Sequence, residues 1–264
     1  MYIVNKKNGV PQYEVHEFFE KKKDYVLLIP IINEGNRIKE ELKRACDNNV
    51  SDLVDIVICD GDSKDGSTDE TLLKSLDVNT LLVKKDEGKQ GAQLRMGIDF
   101  AFFRNYEGIL TIDGNNKDSI EDVYKFIDKL KEGYDLVQGS RFIKGGKAIN
   151  TPLSRFIAVK FIHAPIISLT ARKHFTDTTN AYRAYSKRYL QSEKVKPLRD
   201  IFYGYELLAY LSTRATQIGM KACEVPVTRA YPKGEKTPTK ISKFSGNFNL
   251  IKILINNFLG KYNP

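Results

Sequence analysis

The sequence contains no tryptophan and only three cysteines, three histidines and three methionines among 264 residues. The cysteines are odd in number and far apart, and they lack the paired spacing of a structural zinc site. The histidines have no metal-ligand spacing, and no Ser-His-Asp or Cys-His arrangement for nucleophilic catalysis is visible. These features argue against a disulfide framework, a zinc domain and the common hydrolase triads. Reduced thiols are typical of a cytoplasmic protein.

Long hydrophobic runs are also missing. The first nine residues have no apolar core typical of a signal peptide, and no run approaches the roughly 20 residues that span a bilayer. We therefore expect a cytoplasmic protein, with the inner face of the membrane as an alternative location. Lysine and arginine outnumber the acids by 42 to 33, which gives a net charge of +9. This surplus favours phosphorylated ligands or anionic lipid surfaces, whereas the absence of a nucleic-acid-binding motif predicts no nucleic-acid partner.

Apolar, strand-like runs alternate with segments of helical spacing over the first half of the chain. The hydrophobic content of 41% supports a real core. The alternation predicts an α/β fold with a mostly parallel central sheet, helices on both faces and right-handed crossovers. The predicted strands are 25–32, 55–59, 80–84, 108–112 and 134–139, and the predicted helices between them include 69–76, 93–103 and 119–130.

The change of pattern after about residue 145 suggests how the domain is organised. We predict one catalytic domain over 25–243, with a nucleotide-binding half to about residue 145 and an acceptor half from about 146. Residues 1–24 are polar and lysine-rich, which predicts an arm or short helix before the core. Residues 244–264 predict an apolar tail or helix. The apolar segments 156–170 and 244–259 either pack on the protein or rest on a membrane.

Polar residues follow two of the predicted strands at the point where each strand ends. Asp113 and Asn115 follow the strand 108–112, and Asp60 and Asp62 follow the strand 55–59. Open parallel sheets bind ligands at the carboxyl ends of their strands. Two such strand ends suggest a nucleoside-diphosphate site. Asp113 is the leading candidate ligand for a divalent metal that would neutralise the leaving group.

Further candidates precede or follow these strand ends. Asn33 and Glu34 follow the first predicted strand and would lie near a base or ribose, although an acid there is also favoured by the helix dipole. Lys89, in a glycine-containing segment before a helix, offers a cation to phosphate. Arg141 and Arg155 suit an anion because the guanidinium group binds phosphate oxygens bidentately. Each residue considered alone could equally be part of an ordinary turn or surface.

Six segments, taken in order between about residues 25 and 243, resemble glycosyltransferase family 2, which has the GT-A fold. The resemblance is greatest to the dolichol-phosphate or polyprenyl-phosphate mannosyltransferase-like branch. The segments are Ile29-Pro30-Ile31-Ile32-Asn33-Glu34, Asp60-Gly61-Asp62-Ser63-Lys64-Asp65-Gly66-Ser67, Gly88-Lys89-Gln90-Gly91-Ala92, Gly139-Ser140-Arg141, Asp177-Thr178-Thr179-Asn180-Ala181-Tyr182-Arg183-Ala184-Tyr185 and Glu224-Val225-Pro226-Val227.

The resemblance implies roles for individual residues. A Mg²⁺ or Mn²⁺ ion would bind at Asp113, with Asn115 in the position of the second metal-binding acid. Lys117 occupies a position where the family often has glutamine, and its charge can replace part of the metal's charge. Arg141 and Arg155 would grip the acceptor phosphate. The nucleotide would be cradled by Pro30, Glu34, Asp60 and Lys89.

The expected function is inverting transfer of a sugar from a nucleoside-diphosphate sugar to a polyprenyl phosphate, in cell-surface glycan biosynthesis. Such an acceptor is already an anion and needs no general base. The alternative acceptor is a sugar hydroxyl in polysaccharide assembly, which needs a base, and Asp177 is the candidate for that base. With a lipid phosphate, Asp177 would instead orient the donor or a loop. A nucleotidyltransferase and a non-catalytic nucleotide-binding partner are more remote alternatives.

Overall fold

The computed structural model describes residues 1–232 and 245–264. Its strands are β1 Tyr2–Val4, β2 Tyr13–Glu17, β3 Tyr25–Ile31, β4 Asp55–Asp60, β5 Val78–Lys84, β6 Gly108–Thr111, β7 Leu136–Ser140, β8 Lys147–Ile149, β9 Arg183–Ser186, β10 Ala222–Pro226 and β11 Thr228–Ala230. Nine of them form a central sheet in the order β1-β2-β5-β4-β3-β6-β9-β7-β10. The other two, β8 and β11, form a small parallel sheet.

All strands of the central sheet except β2 and β9 run in the same direction. β3 pairs in parallel with both β4 and β6, and β4 pairs in parallel with β5. β9 lies antiparallel between β6 and β7, and β10 extends the sheet in parallel with β7. The central strands are nearly continuous apolar runs because they are covered on both faces. The predicted α/β fold with a mostly parallel central sheet is confirmed.

Helices cover both faces of this sheet, as predicted. Successive residues of β3 alternate between two cores: Leu28 packs in the core with α3, α6, α8 and α9, and Leu27 in the core with α1 and α4. The helices are α1 Asn36–Asp47, α2 Glu70–Ser75, α3 Gln90–Phe103, α4 Val123–Lys131, α5 Leu153–Ala158, α6 Ala164–Ala171, α7 Lys187–Leu190, α8 Glu206–Gln217 and α9 Ser245–Phe258.

The amino-terminal segment differs from the arm or short helix expected over residues 1–24. Its strands β1 and β2 form one edge of the central sheet, where β2 pairs antiparallel with β5. Tyr13 and Val15 point into the core, and the Tyr13 hydroxyl donates a 3.0 Å hydrogen bond to Asp99 on α3. The segment is therefore part of the fold. Its apolar positions alternate over only a few residues among charged ones, a pattern too short to predict a strand.

Residues 153–171 form one helical stretch in which a π-helical segment, Val159–His163, joins α5 to α6. Its 19 residues are long and apolar enough to cross a membrane by length and composition, which corrects the expectation that no run approaches that length. One side of the stretch packs on the protein through Ala164, Ile167 and Ala171. The other side exposes large apolar side chains, with Phe161 66% exposed.

The carboxyl-terminal segment contains the predicted helix, which is α9. Ile253 and Leu254 are buried, and α9 packs against both α6 and α8. The opposite side of α9 remains exposed, with Phe258 52% exposed. The segment therefore packs on the protein by one face and presents a second apolar face to the outside. The predicted domain boundary at residue 243 lies outside the described residues.

Candidate active site

The carboxyl ends of β3, β4 and β6 lie together because tight packing holds their loops in place. The Gln93 side-chain amide on α3 donates hydrogen bonds of 2.5 Å to the carbonyl oxygen of Ile31 and 2.9 Å to that of Cys59. Gly114, after β6, fits closely against the end of β3: a Cβ atom there would lie 2.5 Å from Cγ2 of Ile31. Glycine is therefore required beside Asp113 for this loop to approach β3.

The predicted nucleotide residues Asn33 and Asp60 lie in two loops that are bonded to each other. The backbone N–H of Asn33 donates to Ser63 Oγ at 2.8 Å, and Asn33 Oδ1 accepts from the backbone N–H of Lys64 at 2.9 Å. The Asp60 carboxylate accepts hydrogen bonds from the backbone N–H groups of Asp62 and Ser63, both at 2.8 Å. Burial raises the pKa of Asp60, while these hydrogen bonds lower it. Asp60 therefore shapes its own loop.

The remaining predicted nucleotide residues surround the same loops. Pro30 lies near the carboxyl end of β3, where it is opposite Cys59 in β4. Glu34 forms a 2.8 Å ion pair with Arg37. Asp62 and Lys89 are also present at this edge: Asp62 pairs with Lys64 at 2.8 Å, and Lys89 is the exposed residue just before α3. The structure thus brings the predicted set to one edge of the sheet, although several members are engaged with neighbouring side chains.

Asp113 lies at the end of β6, and both of its carboxylate oxygens have donors. Gln90 Nε2 donates to Oδ1 at 3.1 Å, and Arg229 Nη2 lies 3.3 Å from Oδ2. The backbone N–H of Asn115 donates to the carbonyl oxygen of Asp113 at 2.8 Å. Asn115 Oδ1 is buried and accepts no hydrogen bond within the described part of the chain. A cationic side chain thus lies beside the predicted metal ligand.

These residues do not form a complete set of ligands for a divalent ion. In the ranges 1–232 and 245–264, no group of three or more His, Cys, Asp or Glu residues could hold a metal. Asp113 is shared with Arg229, and Asn115 offers one neutral oxygen. Mg²⁺ and Mn²⁺ favour charged oxygen ligands, so this pair is a weak set. The predicted ion at Asp113 and Asn115 stays a prediction for this chain.

Arg229 connects the small second sheet to this site. It lies in β11, and its guanidinium contacts Asp118 through Nη1 as well as Asp113 through Nη2. Burial lowers the pKa of Arg229, but the two carboxylates raise it by more, so the arginine stays charged. Burial also raises the pKa of Asp118 to about 6, against the effect of Arg229. At neutral pH both groups are charged.

Three cations surround the ring of Tyr231, which follows β11. The nitrogen of Lys117 lies 5.4 Å from the ring centroid, and the guanidinium carbons of Arg155 and Arg229 lie 5.7 Å and 5.8 Å away. Burial and the neighbouring Arg229 both lower the pKa of Lys117. We call Lys117, Arg155 and Arg229 the Tyr231 cation cluster. Cations held this close together repel one another, and a bound phosphate would offset that repulsion.

Arg141 and Asp177 form a buried bidentate ion pair, with distances of 2.6 Å from Nε to Oδ2 and 2.9 Å from Nη2 to Oδ1. Burial lowers the pKa of Arg141, and the hydrogen bond and charge of Asp177 raise it by more. The backbone N–H of Asp177 donates to Glu224 on β10 at 3.1 Å. Asp177 is fully buried, with both oxygens bound, so it lacks the access that a general base needs.

The sequence predicts Asp113, Lys89, Arg141 and Arg155 for this site. It does not indicate two important contacts of Asp113. Gln90 was part of a recognised segment and was given no role, although it binds Asp113. Arg229 was missed because its contact with Asp113 spans 116 residues. The available signal was its position just after the Glu-Val-Pro-Val segment, which itself resembles a family strand.

Comparisons with known proteins identify relatives of this chain. A polyprenol monophosphomannose synthase from Mycolicibacterium smegmatis is 26% identical over 206 residues, which cover 77% of this chain and 76% of the relative. An undecaprenyl-phosphate mannosyltransferase from Micrococcus luteus is 26% identical over 204 residues, which cover 76% of this chain and 81% of the relative.

A solved structure shares the fold at low sequence identity. It is glucosyl-3-phosphoglycerate synthase from Mycobacterium tuberculosis in complex with Mn²⁺, uridine diphosphate and phosphoglyceric acid, with a TM-score of 0.64 and 12% identity. The match covers 90% of this chain and 78% of that one. The family described as "Glycosyl transferase family 2" matches residues 26–193. With the GT-A fold and most of the sequence matched, the chain belongs to glycosyl transferase family 2.

Proposed function

We propose that the protein transfers a sugar, with inversion, from a nucleoside-diphosphate sugar to a polyprenyl phosphate. The observation that carries this proposal is the Tyr231 cation cluster at the carboxyl edge of the sheet, together with the ion-paired state of Asp177. Cations can bind a donor diphosphate and an acceptor phosphate side by side. Asp177, the carboxylate that a hydroxyl acceptor would require as a base, is buried against Arg141. The two mannosyltransferase relatives support the same class of acceptor.

The reaction needs little from the protein beyond binding and charge. An oxygen of the acceptor phosphate attacks the anomeric carbon, and the bond from that carbon to the donor's diphosphate breaks. The electron pair leaves with the nucleoside diphosphate, which gains the negative charge that the acceptor loses. Attack opposite the leaving group inverts the anomeric centre. The protein must hold both anions close together against their mutual repulsion, which is the task of the cation cluster.

Arg155 is the best candidate for the acceptor phosphate. It is half-buried on α5, beside Tyr231, and makes no ion pair within the described residues. Arg141 is less available because Nε and Nη2 both bind Asp177. We infer that Arg141 and Asp177 position the loops after β7 and before β9, and that Arg155 binds the phosphate directly.

We also propose that the exposed apolar sides of the 153–171 helix and of α9 rest on a membrane surface. The two helices adjoin, because α9 contacts α6, the second part of the 153–171 stretch. Arg155 lies on the same helix, which would bring the acceptor phosphate close to the lipid surface. Exposed basic residues accompany the apolar ones and suit anionic headgroups. These residues are Lys160, Arg172, Lys173, Lys252 and Lys261.

A transfer assay tests the proposed function. The protein is incubated with UDP-, GDP- and CDP-linked sugars, each with undecaprenyl phosphate in mixed micelles, with Mn²⁺ or with EDTA. The expected result is a glycosyl phosphate lipid from one donor class, detected by mass spectrometry. If no donor gives a product on the phosphate while a parallel reaction with an oligosaccharide acceptor gives transfer to a sugar hydroxyl, the proposed acceptor is wrong.

A further inference from the structure

Positive charge at the donor site is concentrated on side chains around Asp113. Arg229 binds both Asp113 and Asp118, and Lys117 is buried beside the same Tyr231 ring. Together with Arg155, the cluster carries three positive charges against the two carboxylates that Arg229 binds. The Arg141–Asp177 pair is neutral as a unit. A nucleoside diphosphate that binds here adds at least two negative charges to this cluster.

The position of this positive charge bears directly on whether a metal ion can bind at Asp113. A metal ion at this site would be held by Asp113, at the end of β6, and would neutralise charge on the leaving diphosphate. In this protein Arg229 contacts the carboxylate of Asp113, with a distance of 3.3 Å between Nη2 and Oδ2. Asp118 is fully buried and holds Arg229 in place from the other side. Asp118 and Asp113 together fix the guanidinium in one orientation, so a phosphate that reaches its remaining N–H groups meets a cation that needs little reorganisation.

The oxygen atoms of Asp113 and Asn115 also form a weak set of ligands for a divalent metal. Each carboxylate oxygen of Asp113 already has a donor, and the position two residues later is the neutral Asn115. The buried Oδ1 of Asn115 accepts no hydrogen bond within the described residues. A hydroxyl group of the ligand can donate a hydrogen bond to this oxygen, just as an ion can bind it. A single neutral oxygen does not balance the charge of a divalent cation beside Arg229 and Lys117.

From these contacts we propose that Arg229 and Lys117 bind the donor diphosphate directly and neutralise the leaving group, so that nucleotide binding and sugar transfer need no divalent metal. This inference rests on the proposed function, because it assumes a nucleoside-diphosphate donor at this edge. As the bond from the sugar to the diphosphate breaks, the new negative charge forms beside two fixed cations. Asp113 then acts as a positioning residue for Arg229, and it is no metal ligand.

The test is nucleotide binding by calorimetry, using UDP, GDP and CDP as probes, in Mn²⁺ and in EDTA. We expect one nucleotide to bind with an affinity that changes less than about threefold between the two conditions. Lys117→Gln should weaken binding by about tenfold to a hundredfold, the usual effect of losing a charged hydrogen bond. Asp113→Asn should bind at least as tightly as the parent protein, because it removes a negative charge near the diphosphate.

Arg229→Gln alone leaves Asp118 buried without its partner and could unfold the protein. The double variant Arg229→Gln/Asp118→Asn removes both charges and keeps the test valid, and it should also weaken binding about tenfold to a hundredfold. The matched control is the double variant Arg188→Gln/Asp135→Asn, because Arg188 likewise binds a fully buried carboxylate, Asp135, but at the opposite end of β7. This control should bind nucleotide like the parent protein.

The outcomes separate the inference from the function on which it rests. Binding that requires Mn²⁺ and is abolished by Asp113→Asn would overturn the inference and leave the proposed function in place. Metal-independent binding that is unchanged in Lys117→Gln and in the double variant would also overturn it. Absence of binding for every nucleotide in both conditions would remove the proposed function and the inference together.

Discussion

Arg141 holds Asp177 through two parallel hydrogen bonds of 2.6 Å and 2.9 Å, in a position where neither side chain reaches solvent. Breaking a buried, hydrogen-bonded ion pair strongly lowers the free energy of unfolding, because the remaining charge stays buried without its partner. Glu224 anchors the same segment by accepting hydrogen bonds from the backbone N–H groups of Thr176 and Asp177. The Arg141–Asp177 pair therefore stabilises the fold and positions the segments that carry these two residues.

We therefore predict that Asp177→Asn lowers the free energy of unfolding by about 3–5 kcal/mol, because Arg141 loses its countercharge. Urea unfolding measures this change. Sugar transfer per folded molecule, assayed at low temperature, should stay within a few-fold of the parent value. The exposed acid Asp52 provides a control, since Asp52→Asn should change neither quantity. A stable but inactive Asp177→Asn protein would instead identify a general base and favour a hydroxyl acceptor.

Replacing Arg155 should affect the acceptor more than the donor. Arg155→Gln removes the half-buried guanidinium beside Tyr231. We expect the KM for polyprenyl phosphate to rise by about tenfold to a hundredfold, with nucleotide affinity changed less than threefold. Steady-state kinetics and calorimetry separate the two effects. Lys131→Gln is the control, because Lys131 is exposed at the end of α4 and lies outside the proposed membrane surface. An unchanged KM for the acceptor would contradict the role given to Arg155.

The proposed membrane surface predicts weaker lipid binding when its apolar residues become charged. The double variant Phe161→Glu/Phe258→Glu should bind vesicles of phosphatidylglycerol and phosphatidylcholine at least about tenfold more weakly, because each buried aromatic side chain contributes about 1.5–3 kcal/mol. Vesicle co-sedimentation measures the partition. Phe103→Glu is the control, since Phe103 is 74% exposed at the end of α3 and lies outside the proposed surface. Equal partition of all three proteins would exclude this surface.

Glu41 predicts a specific pH dependence of stability. It is fully buried on α1, where it accepts a hydrogen bond from the backbone N–H of Asn116, and burial raises its pKa well above 4.5. A raised pKa means that the folded protein holds a proton that the unfolded chain releases. The stability supplied by this proton is complete below pH 4.5 and is lost as pH rises toward the folded-state pKa.

Glu41→Gln removes that dependence while an oxygen remains for the Asn116 N–H group. We expect the variant to match the parent protein near pH 4 and to exceed it in free energy of unfolding at pH 7–8, as measured by urea titration at several pH values. Glu40→Gln is the control, because Glu40 is exposed and contacts the same asparagine. Parallel stability curves for parent and Glu41→Gln would contradict the raised pKa.

The sequence could predict the parts of the fold that have a local pattern. The parallel strands are apolar runs with polar residues at their carboxyl ends, and this pattern indicated Asp60 and Asp113 directly. β9 could not be predicted in the same way, because it is four residues long and lies antiparallel between β6 and β7. Its place in the sheet depends on contacts with distant strands.

The predicted site residues stay a prediction, and the sequence did not indicate the cation that lies beside Asp113. Motif spacing can indicate a carboxylate at a strand end, but it cannot show that Arg229 reaches the same carboxylate from a three-residue strand near the end of the domain. The same limit applied to the helix 153–171. Its apolar composition was visible, whereas the division into a packed side and an exposed side depends on α8 and α9.

The most direct test of the proposed function is a competition between two acceptors in one reaction. The protein receives its preferred nucleotide sugar with equal concentrations of undecaprenyl phosphate and undecaprenol, which differ only in the phosphate group, and the products are identified by mass spectrometry. Transfer to the phosphate alone, with no product on undecaprenol, is the predicted result. Transfer to the hydroxyl of undecaprenol at a rate equal to or above that on the phosphate would contradict it.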